Sequence, residues 1–592
     1  MSMKMNGSQI LIQALIDQGV DTVFGYPGGA VLNIYDALYE KQDELRHVLT
    51  SHEQGAAHAA DGYARTTGKT GVCIATSGPG ATNLVTGIAT AYMDSIPLVC
   101  ITGNVSTDLL GRDSFQEVNI AGITMPITKH NFIVQRVEDL ANIVRKAFII
   151  ANSGRKGPVL IDVPKDVSAN VCEYVKLPKY RIRKLPRLDD VIFKKTLEAI
   201  KQAKRPMIYA GGGVISSGAE AKLLEFSNYM QIPICSSMMG LSAVPCDYPL
   251  YLGMIGMHGT PVSNYATLHS DLIIAIGARF SDRVAGNRQL FGKDATIIQF
   301  DIDASEVNKN VDVDLSIVGD ANYILKHILE HMEETRHDEW IAKLNEYRAR
   351  KTLPLSSDLD EGVDPRDILA ELAKQLDDDS IIVTDVGQHQ MITAQYYPFK
   401  KPRTFVSSCG LGTMGYGLGA AIGAKIANPD KKVVLITGDG SFHMNLNELA
   451  TAVSQGLDLT ILVFNNTVLG MVRQWQTLFY GKRYSNTNIA RNTDFVKLSE
   501  AFGGGGYQLQ KKEDIETVLK QALASESVCV VDCMIDKDDS VFPIIPPGKS
   551  GKDIILSKYE VRKSGKGCII TSCCQRVWGA NKNHKFIFTT WI

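Results

Sequence analysis

The sequence has almost no net charge and no long apolar run. Its 62 lysines and arginines nearly balance 64 aspartates and glutamates, which leaves a formal charge of -2. Proteins that bind nucleic acid or an anionic membrane need a basic field, so this balance argues against both partners. The longest apolar stretches, such as 433–437 and 459–464, are far shorter than the roughly 18 residues that span a bilayer. The sequence therefore predicts a soluble protein with no membrane partner.

Targeting signals and cysteine motifs are also lacking. The first residues run into a segment that Gln13, Asp17 and Gln18 interrupt, which is neither a signal-peptide core nor an Arg-rich transit sequence. The 11 cysteines show no CxxC spacing, which favours buried, apolar cysteines in a reducing compartment. We therefore expect a cytoplasmic protein.

The length and the order of short elements indicate several α/β domains. The 592 residues correspond to three or four domains at about 100–200 residues each. Strand-like runs alternate with helical stretches, for instance at 72–76, 81–93 and 98–102, which is typical of parallel sheets. Polar linkers at 177–190 and 348–365 separate three predicted domains, which cover residues 1–178, 190–347 and 365–548. We expect each to be a doubly wound parallel sheet.

The first and third domains share residues in a constant register. When residues 58–105 are moved 361 positions along the chain, without a gap, identical residues coincide. The matching positions are Ala59, Ala60, Gly62, Val72, Thr76, Ala89, Thr90, Ala91, Leu98 and Asn104. Two generic βαβ units with similar composition are the alternative, but the absence of a gap favours a duplication.

The third domain carries a strand–helix–strand unit with ligand residues after each strand. The strand 433–437 is followed by GDGS, which contains Asp439, and the strand 459–464 by NN, which contains Asn466. A right-handed crossover brings both strand ends to the ligand-binding edge of the sheet. A carboxylate and an amide oxygen suit Mg²⁺, and the glycines let the backbone approach a diphosphate. The aligned positions in the first domain are Gly78 and Val105, so only the third domain is predicted to bind the metal.

These residues, together with further motifs, resemble those of thiamine-diphosphate-dependent enzymes and, among them, acetohydroxyacid synthases (acetolactate synthases). The resemblance extends over about residues 5–563. Its motifs are FGYPGG at 24–29, SHEQ at 51–54, SGPGATN at 77–83, DSFQE at 113–117, GPVLIDVPKD at 157–166 and GMVRQW at 470–475. It implies a homodimer, or a dimer of dimers, in which the pyrimidine-binding domain of one subunit and the diphosphate-binding domain of its neighbour enclose the cofactor. A regulatory small subunit is a further implied partner.

The resemblance also implies a reaction and its cofactors. Pyruvate is decarboxylated on thiamine diphosphate, and the hydroxyethyl carbanion is joined to pyruvate or 2-ketobutyrate, which is the first common step of branched-chain amino-acid biosynthesis. The cofactors are thiamine diphosphate, Mg²⁺ and FAD. Pyruvate oxidase and the FAD-free catabolic acetolactate synthase are the alternatives. A catalytically inactive scaffold is a third, which the presence of Glu53, Asp439 and Asn466 disfavours.

The catalytic residues follow from matched motif positions. Glu53 comes after an apolar run, and a carboxyl group in an apolar cleft can share a proton with a ring nitrogen of the cofactor. A glutamate that merely begins a helix is the alternative. By resemblance, Gln116 and Lys165 orient the second keto acid and Phe115 lines the substrate channel, and Gly29 completes the catalytic set.

The resemblance assigns the remaining site residues by position. For thiamine diphosphate they are Gly28, Gln388, His389, Gln390, Gly412, Met414, Gly440, Ser441, Gly470 and Met471. For Mg²⁺ they are Asp439, Asn466 and Val468. Met254, Val472 and Trp475 line the channel, and the Trp475 indole is expected to accept the larger 2-ketobutyrate.

The second domain begins as a nucleotide-binding unit in outline. The strand 206–210 meets three glycines and a helix at 219–230, but Gly218 comes too late for the GxGxxG motif of NAD sites. By resemblance this domain binds FAD, which is structural because the net reaction transfers no electrons. The implied FAD residues are Arg155, Gly211, Gly212, Gly213, Ser237, Met238, His258, Arg279, Asp301, Ile302, Asp320 and Ala321. The Arg279 guanidinium is also a candidate for the carboxylate of the second substrate.

Residues 564–592 differ from the rest of the chain. They contain no acidic residue, include Cys568, Cys573 and Cys574, and end in FIFTTWI. A frameshifted or read-through end is favoured over a metal-binding tail.

Overall fold

Three six-stranded sheets, each entirely parallel, account for the described part of the chain, together with a small antiparallel pair. This computed structural model describes residues 3–182, 188–353 and 362–557. Parts of both predicted linkers and the predicted anomalous tail therefore lie outside the described residues.

The first sheet has the strand order β3-β2-β4-β5-β7-β6, and strands β1 and β8 pair antiparallel beside it. The strands are β1 (Met3–Asn6), β2 (Thr22–Gly25), β3 (Arg46–Leu49), β4 (Gly71–Ala75), β5 (Leu98–Asn104), β6 (His130–Ile133), β7 (Val159–Pro164) and β8 (Val171–Tyr174). The helices are α1 (Gly7–Gln18), α2 (Leu32–Glu40), α3 (Glu53–Thr67), α4 (Pro79–Asn83), α5 (Val85–Asp94), α6 (Ile120–Thr124), α7 (Leu140–Asn152) and α8 (Lys165–Ala169).

The second sheet has the order β11-β10-β9-β12-β13-β14. Its strands are β9 (Pro206–Ala210), β10 (Ile234–Ser236), β11 (Tyr251–Met254), β12 (Leu272–Ile276), β13 (Thr296–Asp301) and β14 (Leu315–Val318). The helices are α9 (Asp190–Gln202), α10 (Gly212–Ser217), α11 (Glu220–Met230), α12 (Pro261–His269), α13 (Asp282–Ala285), α14 (Ala321–His331) and α15 (Asp338–Arg350).

The third sheet has the order β16-β15-β17-β18-β20-β19. Its strands are β15 (Ile381–Thr384), β16 (Phe405–Val406), β17 (Val433–Gly438), β18 (Thr460–Asn465), β19 (Gly505–Leu509) and β20 (Cys529–Met534). The helices are α16 (Pro365–Gln375), α17 (Gln388–Tyr396), α18 (Gly417–Ala427), α19 (Asp439–Asn445), α20 (Leu449–Ser454), α21 (Gly470–Phe479), α22 (Phe495–Ala501) and α23 (Ile515–Leu523).

The first and third sheets have the same topology. In each, the second strand along the chain lies at the edge, followed by the first, third, fourth, sixth and fifth, whereas the middle sheet runs third, second, first, fourth, fifth, sixth. Strand β5 moved by 361 positions falls on β18, and α3 falls on α18. The predicted class, three doubly wound α/β domains of which the first and third are related, is confirmed.

The central strands are apolar throughout because helices cover both faces of each sheet. All five residues of β12, with the sequence LIIAI, are buried, and so are all six of β17 and of β18. This is why these strands could be located from short continuous apolar runs.

Several predicted helices begin or end elsewhere. The stretch 81–93 belongs to two helices, since α4 begins at Pro79 and ends at Asn83, and α5 begins at Val85. The helix expected after GDGS begins directly at Asp439, capped by the extended backbone of Gly438, and a 3₁₀ turn at Leu446–Glu448 separates α19 from α20. Helix α15 continues to Arg350, inside the predicted linker.

The first and third domains pack through α3 and α18. Both helices are rich in glycine and alanine, so their backbones come close together: a Cβ on Gly62 would lie 2.1 Å from the carbonyl oxygen of Ala420. One hydrophobic core extends across this contact and contains Ala59, Ala60 and Ala421. The two related domains therefore form one packed unit.

A search of the described residues for membrane-spanning helices finds none that is long and apolar enough.

Candidate functional site

The loops that contain Asp439 and Asn466 meet at the carboxyl edge of the third sheet. Strands β17 and β18 are parallel neighbours in which Gly438 lies beside Phe464, so the residues that follow them emerge together. The backbone N–H groups of Gly440 and Thr467 lower the pKa of the Asp439 carboxylate beside them. The Asn466 side-chain oxygen accepts the backbone N–H of Val468 at 3.1 Å. The structure thus brings together the three residues assigned to Mg²⁺.

The Asp439 carboxylate is buried without a basic partner. It is 4% exposed, and no ion pair in residues 3–182, 188–353 or 362–557 includes it. Burial raises its pKa to about 7, against the opposing effect of the backbone hydrogen bonds. A divalent cation would supply the missing positive charge, and a carboxylate, an amide oxygen and a backbone carbonyl form a ligand set that suits Mg²⁺. The described residues contain no cluster of three or more His, Cys, Asp or Glu side chains that would indicate another metal.

Gln388 lies against the Asn466 loop at the start of α17. Its Oε1 is 3.4 Å from Nδ2 of Asn466, and its Nε2 donates to the carbonyl oxygen of Asp539 at 2.9 Å. A Cβ on Gly470 would lie 1.9 Å from the same Oε1. Gly470 therefore allows the turn before α21 to approach Gln388.

His389 is a buried, neutral imidazole beside the GDGS turn. Burial lowers its pKa to about 3, and its Nε2 has no hydrogen-bond partner among the described residues. A Cβ on Gly438 would lie 2.9 Å from Nδ1 of this ring. An unpartnered imidazole nitrogen next to a glycine turn fits a ligand with diphosphate oxygens. Gln390 instead donates to Oγ of Ser407 at 2.7 Å.

The turn that contains Gly412 and Met414 is held by Asp385, which the sequence analysis missed. The Asp385 carboxylate accepts the backbone N–H groups of Gly415 at 2.8 Å and Gly417 at 3.3 Å, and burial raises its pKa to about 6. The turn comes close to the GDGS motif, since a Cβ on Gly440 would lie 3.8 Å from the Met414 methyl. An aspartate directly after β15, at the same sheet edge, was the available signal.

A second carboxylate reaches this turn from the first domain. Asp94, at the end of α5, accepts the backbone N–H groups of Cys409 at 3.0 Å and Gly410 at 2.7 Å. The Arg65 guanidinium pairs with Asp94 at 2.8 Å. The Ser441 side chain donates to the carbonyl oxygen of Val386 at 2.9 Å, which connects α19 to the segment after β15.

Glu53 begins α3 at the corresponding edge of the first sheet. Its side chain is 8% exposed and accepts a hydrogen bond from Nδ2 of Asn83 at 2.9 Å. A Cβ on Gly80 would lie 3.0 Å from its Oε1, and a Cβ on Gly28 would lie 2.6 Å from the Thr76 side chain. The structure therefore brings Gly28 and Glu53 together around the residues that follow β4.

The other catalytic candidates of the first domain face solvent in the single chain. Phe115 is 87% exposed, and Gln116, Lys165 and Gly29 are exposed too. Gln116 has a positive φ of 57°, and its carbonyl oxygen would lie 2.7 Å from a Cβ on Gly78. Among the described residues, no hydrogen bond links these side chains, or that of Glu53, to the third domain.

A cavity of about 2110 Å³ lies between the three domains. It is larger than the roughly 300–1,000 Å³ of ordinary ligand sites. The predicted residues that line it are Arg155, Gly212, Gly213, Ser237, Met238, Met254, His258, Arg279, Asp301, Ile302, Asp320, Ala321, Gln390, Gly412, Met471, Val472 and Trp475. The FAD residues and the channel residues thus share one space, which reaches the Gly412 turn.

Gly211 and Phe115 are the exceptions among the residues assigned to FAD and the channel. Neither lines this cavity. A Cβ on Gly211 would lie 2.1 Å from the carbonyl oxygen of Gly277, so this glycine allows close packing of two loops. Phe115 lies in an exposed loop of the first domain.

Charged groups in the cavity are held by neighbouring domains. Arg155 donates to Oε1 of Glu306 at 2.9 Å, and Arg279 donates to the carbonyl oxygen of Met93 at 2.6 Å. These two hydrogen bonds connect the second domain to the first. Burial raises the pKa of Asp301 to about 6 and lowers that of His258 to about 4.

Arg283 is a cavity residue that the sequence analysis did not single out. Its guanidinium lies over the Trp475 indole, 5.8 Å from the ring centroid. It lies in α13, shortly after Arg279, and the two arginines after β12 were the available signal.

Models of known protein families match parts of all three domains. Three family models match: "Thiamine pyrophosphate enzyme, N-terminal TPP binding domain" at residues 5–123, "Thiamine pyrophosphate enzyme, central domain" at 193–328, and "Thiamine pyrophosphate enzyme, C-terminal TPP binding domain" at 385–533. Thiamine pyrophosphate is another name for thiamine diphosphate.

Individual relatives match along nearly the whole chain. The identity is 45% to the "Probable acetolactate synthase large subunit" of Methanocaldococcus jannaschii, over 92% of this chain and 94% of the relative. It is 44% to the acetolactate synthase isozyme 2 large subunit of Escherichia coli K12, over 93% and 99%. It is 42% to the isozyme 3 large subunit of the same organism, over 94% and 99%. The chain belongs to the thiamine pyrophosphate enzyme family that includes these acetolactate synthase large subunits.

Proposed function

We propose that this chain is the catalytic large subunit of an acetolactate synthase that uses thiamine diphosphate, Mg²⁺ and FAD. It joins two 2-keto acids after one loses CO₂, which forms 2-acetolactate from pyruvate or 2-aceto-2-hydroxybutyrate when 2-ketobutyrate is the acceptor. The observation that carries the proposal is the buried, unpaired Asp439 carboxylate beside Asn466, in a chain 42–45% identical to acetolactate synthase large subunits.

The third domain supplies the diphosphate and metal contacts. Asp439, Asn466 and the Val468 carbonyl are the Mg²⁺ ligands, and His389 and Gln388 offer polar groups beside them. Ser441, Gly412, Gly440 and Gly470 shape the backbone around the diphosphate, and Met414 and Met471 support the organic part. Thiamine diphosphate, when bound, supplies the electron sink that allows a 2-keto acid to lose CO₂.

Glu53 is the proton-transfer group of this proposal. Asn83 donates to one carboxylate oxygen, which leaves the other, beside Gly80, to share a proton with a pyrimidine ring nitrogen. Because Gly80 has no side chain, the space beside Oε1 of Glu53 stays open, and a Cβ at this position would lie 3.0 Å from that oxygen. Gly28 and Gly29 line the same edge of the first domain.

The geometry supports a dimer with active sites at the interface. Glu53, Gln116 and Lys165 have no hydrogen bond to the third domain of their own chain among the described residues, and Phe115 exposes 87% of its surface. A second copy that presents its Asp439 edge to these residues would complete the site and cover Phe115. A homodimer or a dimer of dimers satisfies this requirement.

The cavity supports the FAD proposal and a route for the substrate. Its volume of about 2110 Å³ exceeds the needs of a keto acid and suits an extended dinucleotide with a channel beside it. Met254, Val472 and Trp475 form the apolar wall for the acceptor side chain. Arg279, Gln116 and Lys165 are the candidates that hold its carboxylate and ketone.

Partners and location are inferred in the same way. The relatives are called large subunits, which supports a regulatory small subunit as a partner of this chain. A cytoplasmic enzyme is consistent with the reducing environment that its free cysteines require.

Product analysis of the purified chain tests the function. Pyruvate, thiamine diphosphate and Mg²⁺ are supplied with and without FAD, and CO₂ and acetolactate are measured. Acetolactate that requires FAD but no electron acceptor is the expected result. Acetate with reduction of an acceptor would indicate a pyruvate oxidase, and acetolactate without any need for FAD would indicate the catabolic enzyme.

A further inference from the structure

Glu448 of the third domain reaches the loop of the first domain that leads into Glu53. It lies in the 3₁₀ turn between α19 and α20, is 0% exposed, and has no role in the site described above. No ion pair among the described residues includes it. Burying a carboxyl group costs free energy unless hydrogen bonds or a cation compensate for the lost water.

Hydrogen bonds to the first domain and to a neighbouring threonine compensate for the burial of Glu448. The Glu448 Oε2 atom accepts the backbone N–H of Ser51 at 3.1 Å and the hydroxyl of Thr451 at 2.5 Å. The Ser51 hydroxyl is in turn 3.2 Å from that of Thr451. Oε1 has no hydrogen-bond partner in the described chain, and a Cβ on Gly55 would lie 2.1 Å from it. Gly55 is thus the residue that makes space for this carboxylate within α3.

We propose that Glu448 is a positioning residue for Glu53, holding the 51–52 backbone so that α3 begins with Glu53 at the cofactor edge. The proposal rests on the proposed function, in which Glu53 transfers a proton. Glu53 is two residues from the Ser51 N–H that Glu448 accepts, so a shift of this loop moves the first turn of α3. Without Glu448, the Ser51 N–H would be left without its partner in the interface between the domains.

The groups around the Glu448 carboxylate are hydrogen-bond donors. Burial raises the pKa of Glu448, whereas the Thr451 hydroxyl and the backbone N–H groups of Ser51 and His52 lower it. The hydroxyl and the N–H groups all donate, so they stabilise a carboxylate oxygen as their acceptor. His52 also caps α3, since its Nδ1 accepts the backbone N–H of Gln54 at 3.1 Å. The loop therefore has one attachment within its helix and one across the domain interface.

A carboxylate of the first domain makes the corresponding contact with the third domain. Asp94 of the first domain accepts the backbone N–H groups of Cys409 and Gly410, which begin the turn that contains Met414. Met414 is the residue that falls on Glu53 when the first domain is moved by 361 positions. In each related domain, a buried carboxylate of the other domain thus holds the backbone that leads to this position.

Amide hydrogen exchange without cofactor tests the positioning directly. We expect Glu448→Ala to increase exchange of the 50–54 backbone by about tenfold or more and Glu448→Gln to increase it less than about threefold, since the amide keeps an acceptor oxygen. Asp162→Ala, which removes another buried carboxylate that accepts from Thr102 and Asn104, is the matched control and should leave this segment unchanged. Unchanged exchange in Glu448→Ala would overturn the proposal.

A second readout addresses the consequence for Glu53. With saturating thiamine diphosphate and Mg²⁺, exchange of the acidic ring proton of the bound cofactor should slow by about tenfold in Glu448→Ala and remain near the unmodified rate in Glu448→Gln. If Glu448→Ala does not fold, Thr451→Val removes the hydroxyl that orients Oε2 and should give a smaller change in the same direction. If Glu53→Gln itself leaves this exchange unaltered, the proposed function fails. If only the Glu448 and Thr451 variants leave it unaltered, this inference fails.

Discussion

Gly423 of α18 and Ala59 of α3 lie so close that a Cβ on Gly423 would be 1.8 Å from the carbonyl oxygen of Ala59. The obstacle is backbone, which cannot rotate away as a side chain can. Ala59 belongs to the hydrophobic core that the two related domains share.

Gly423→Ala should therefore destabilise the protein. We expect a loss of about 1–3 kcal/mol or more, measured as a lower midpoint of thermal unfolding, because the helices must separate to admit the methyl group. Gly505→Ala is the matched control, since nothing lies within 4 Å of a Cβ there. Equal midpoints for the two variants would show that α3 and α18 do not pack as described.

Glu53→Gln should abolish acetolactate formation while thiamine diphosphate and Mg²⁺ still bind. The amide keeps the shape of the side chain and its contact with Asn83 but cannot accept and return a proton. Turnover and cofactor binding, measured by titration calorimetry, separate the two effects. Full activity of this variant would exclude the proton-transfer role.

Co-expression of Glu53→Gln and Asp439→Asn chains tests whether sites form between subunits. If each site combines the Glu53 of one chain with the Asp439 of another, a mixed dimer has one intact site, and random pairing restores about one quarter of full activity. If each site belongs to a single chain, the mixture should remain inactive. Tagged purification of the mixed dimer checks that pairing occurs.

Asp439→Asn should weaken Mg²⁺ binding by about tenfold or more, because the carboxylate supplies the only formal negative charge of the assigned ligand set. Chelation of Mg²⁺ should remove activity reversibly in the unmodified protein. Asp430→Asn, on the surface, serves as the control for a loss of one negative charge. Equal Mg²⁺ titration curves for both variants would remove Asp439 from the metal site.

Trp475→Leu should lower the preference for 2-ketobutyrate over pyruvate as acceptor. The indole lines the cavity and lies under Arg283, so its loss changes the wall that we propose for the acceptor side chain. A competition assay with both keto acids measures the product ratio, and Trp475→Phe should give an intermediate value. An unchanged ratio in Trp475→Leu would contradict this assignment.

Gly470→Ala should reduce cofactor binding, because its Cβ would displace the Gln388 amide that lies beside Asn466. We expect a weaker affinity for thiamine diphosphate in the presence of Mg²⁺, with little change in the midpoint of thermal unfolding. Affinity equal to that of the unmodified chain would show that Gln388 can move without consequence.

The strands and the meeting of Asp439 with Asn466 followed from the sequence for local reasons. A strand buried on both faces is an uninterrupted apolar run, so β17 and β18 could be located from the sequence. Residues that follow two parallel neighbouring strands emerge at one edge of the sheet, so the sequence also predicted that Asp439 and Asn466 meet. The constant spacing of 361 residues likewise predicted the shared topology of two sheets. Helix boundaries were less accurate, because Pro79 and the Gly438 cap decide where first turns begin.

Only the tertiary structure decided which distant groups meet. Asp94 and Glu448 each accept backbone N–H groups of the other domain, which every residue except proline carries, so no side-chain motif indicates these two carboxylates. The exposure of Phe115 and the cavity between the domains depend on how whole sheets pack. Local patterns reflect the period of a strand or helix, whereas these contacts depend on the placement of segments hundreds of residues apart, which is decided by packing across the domain interfaces.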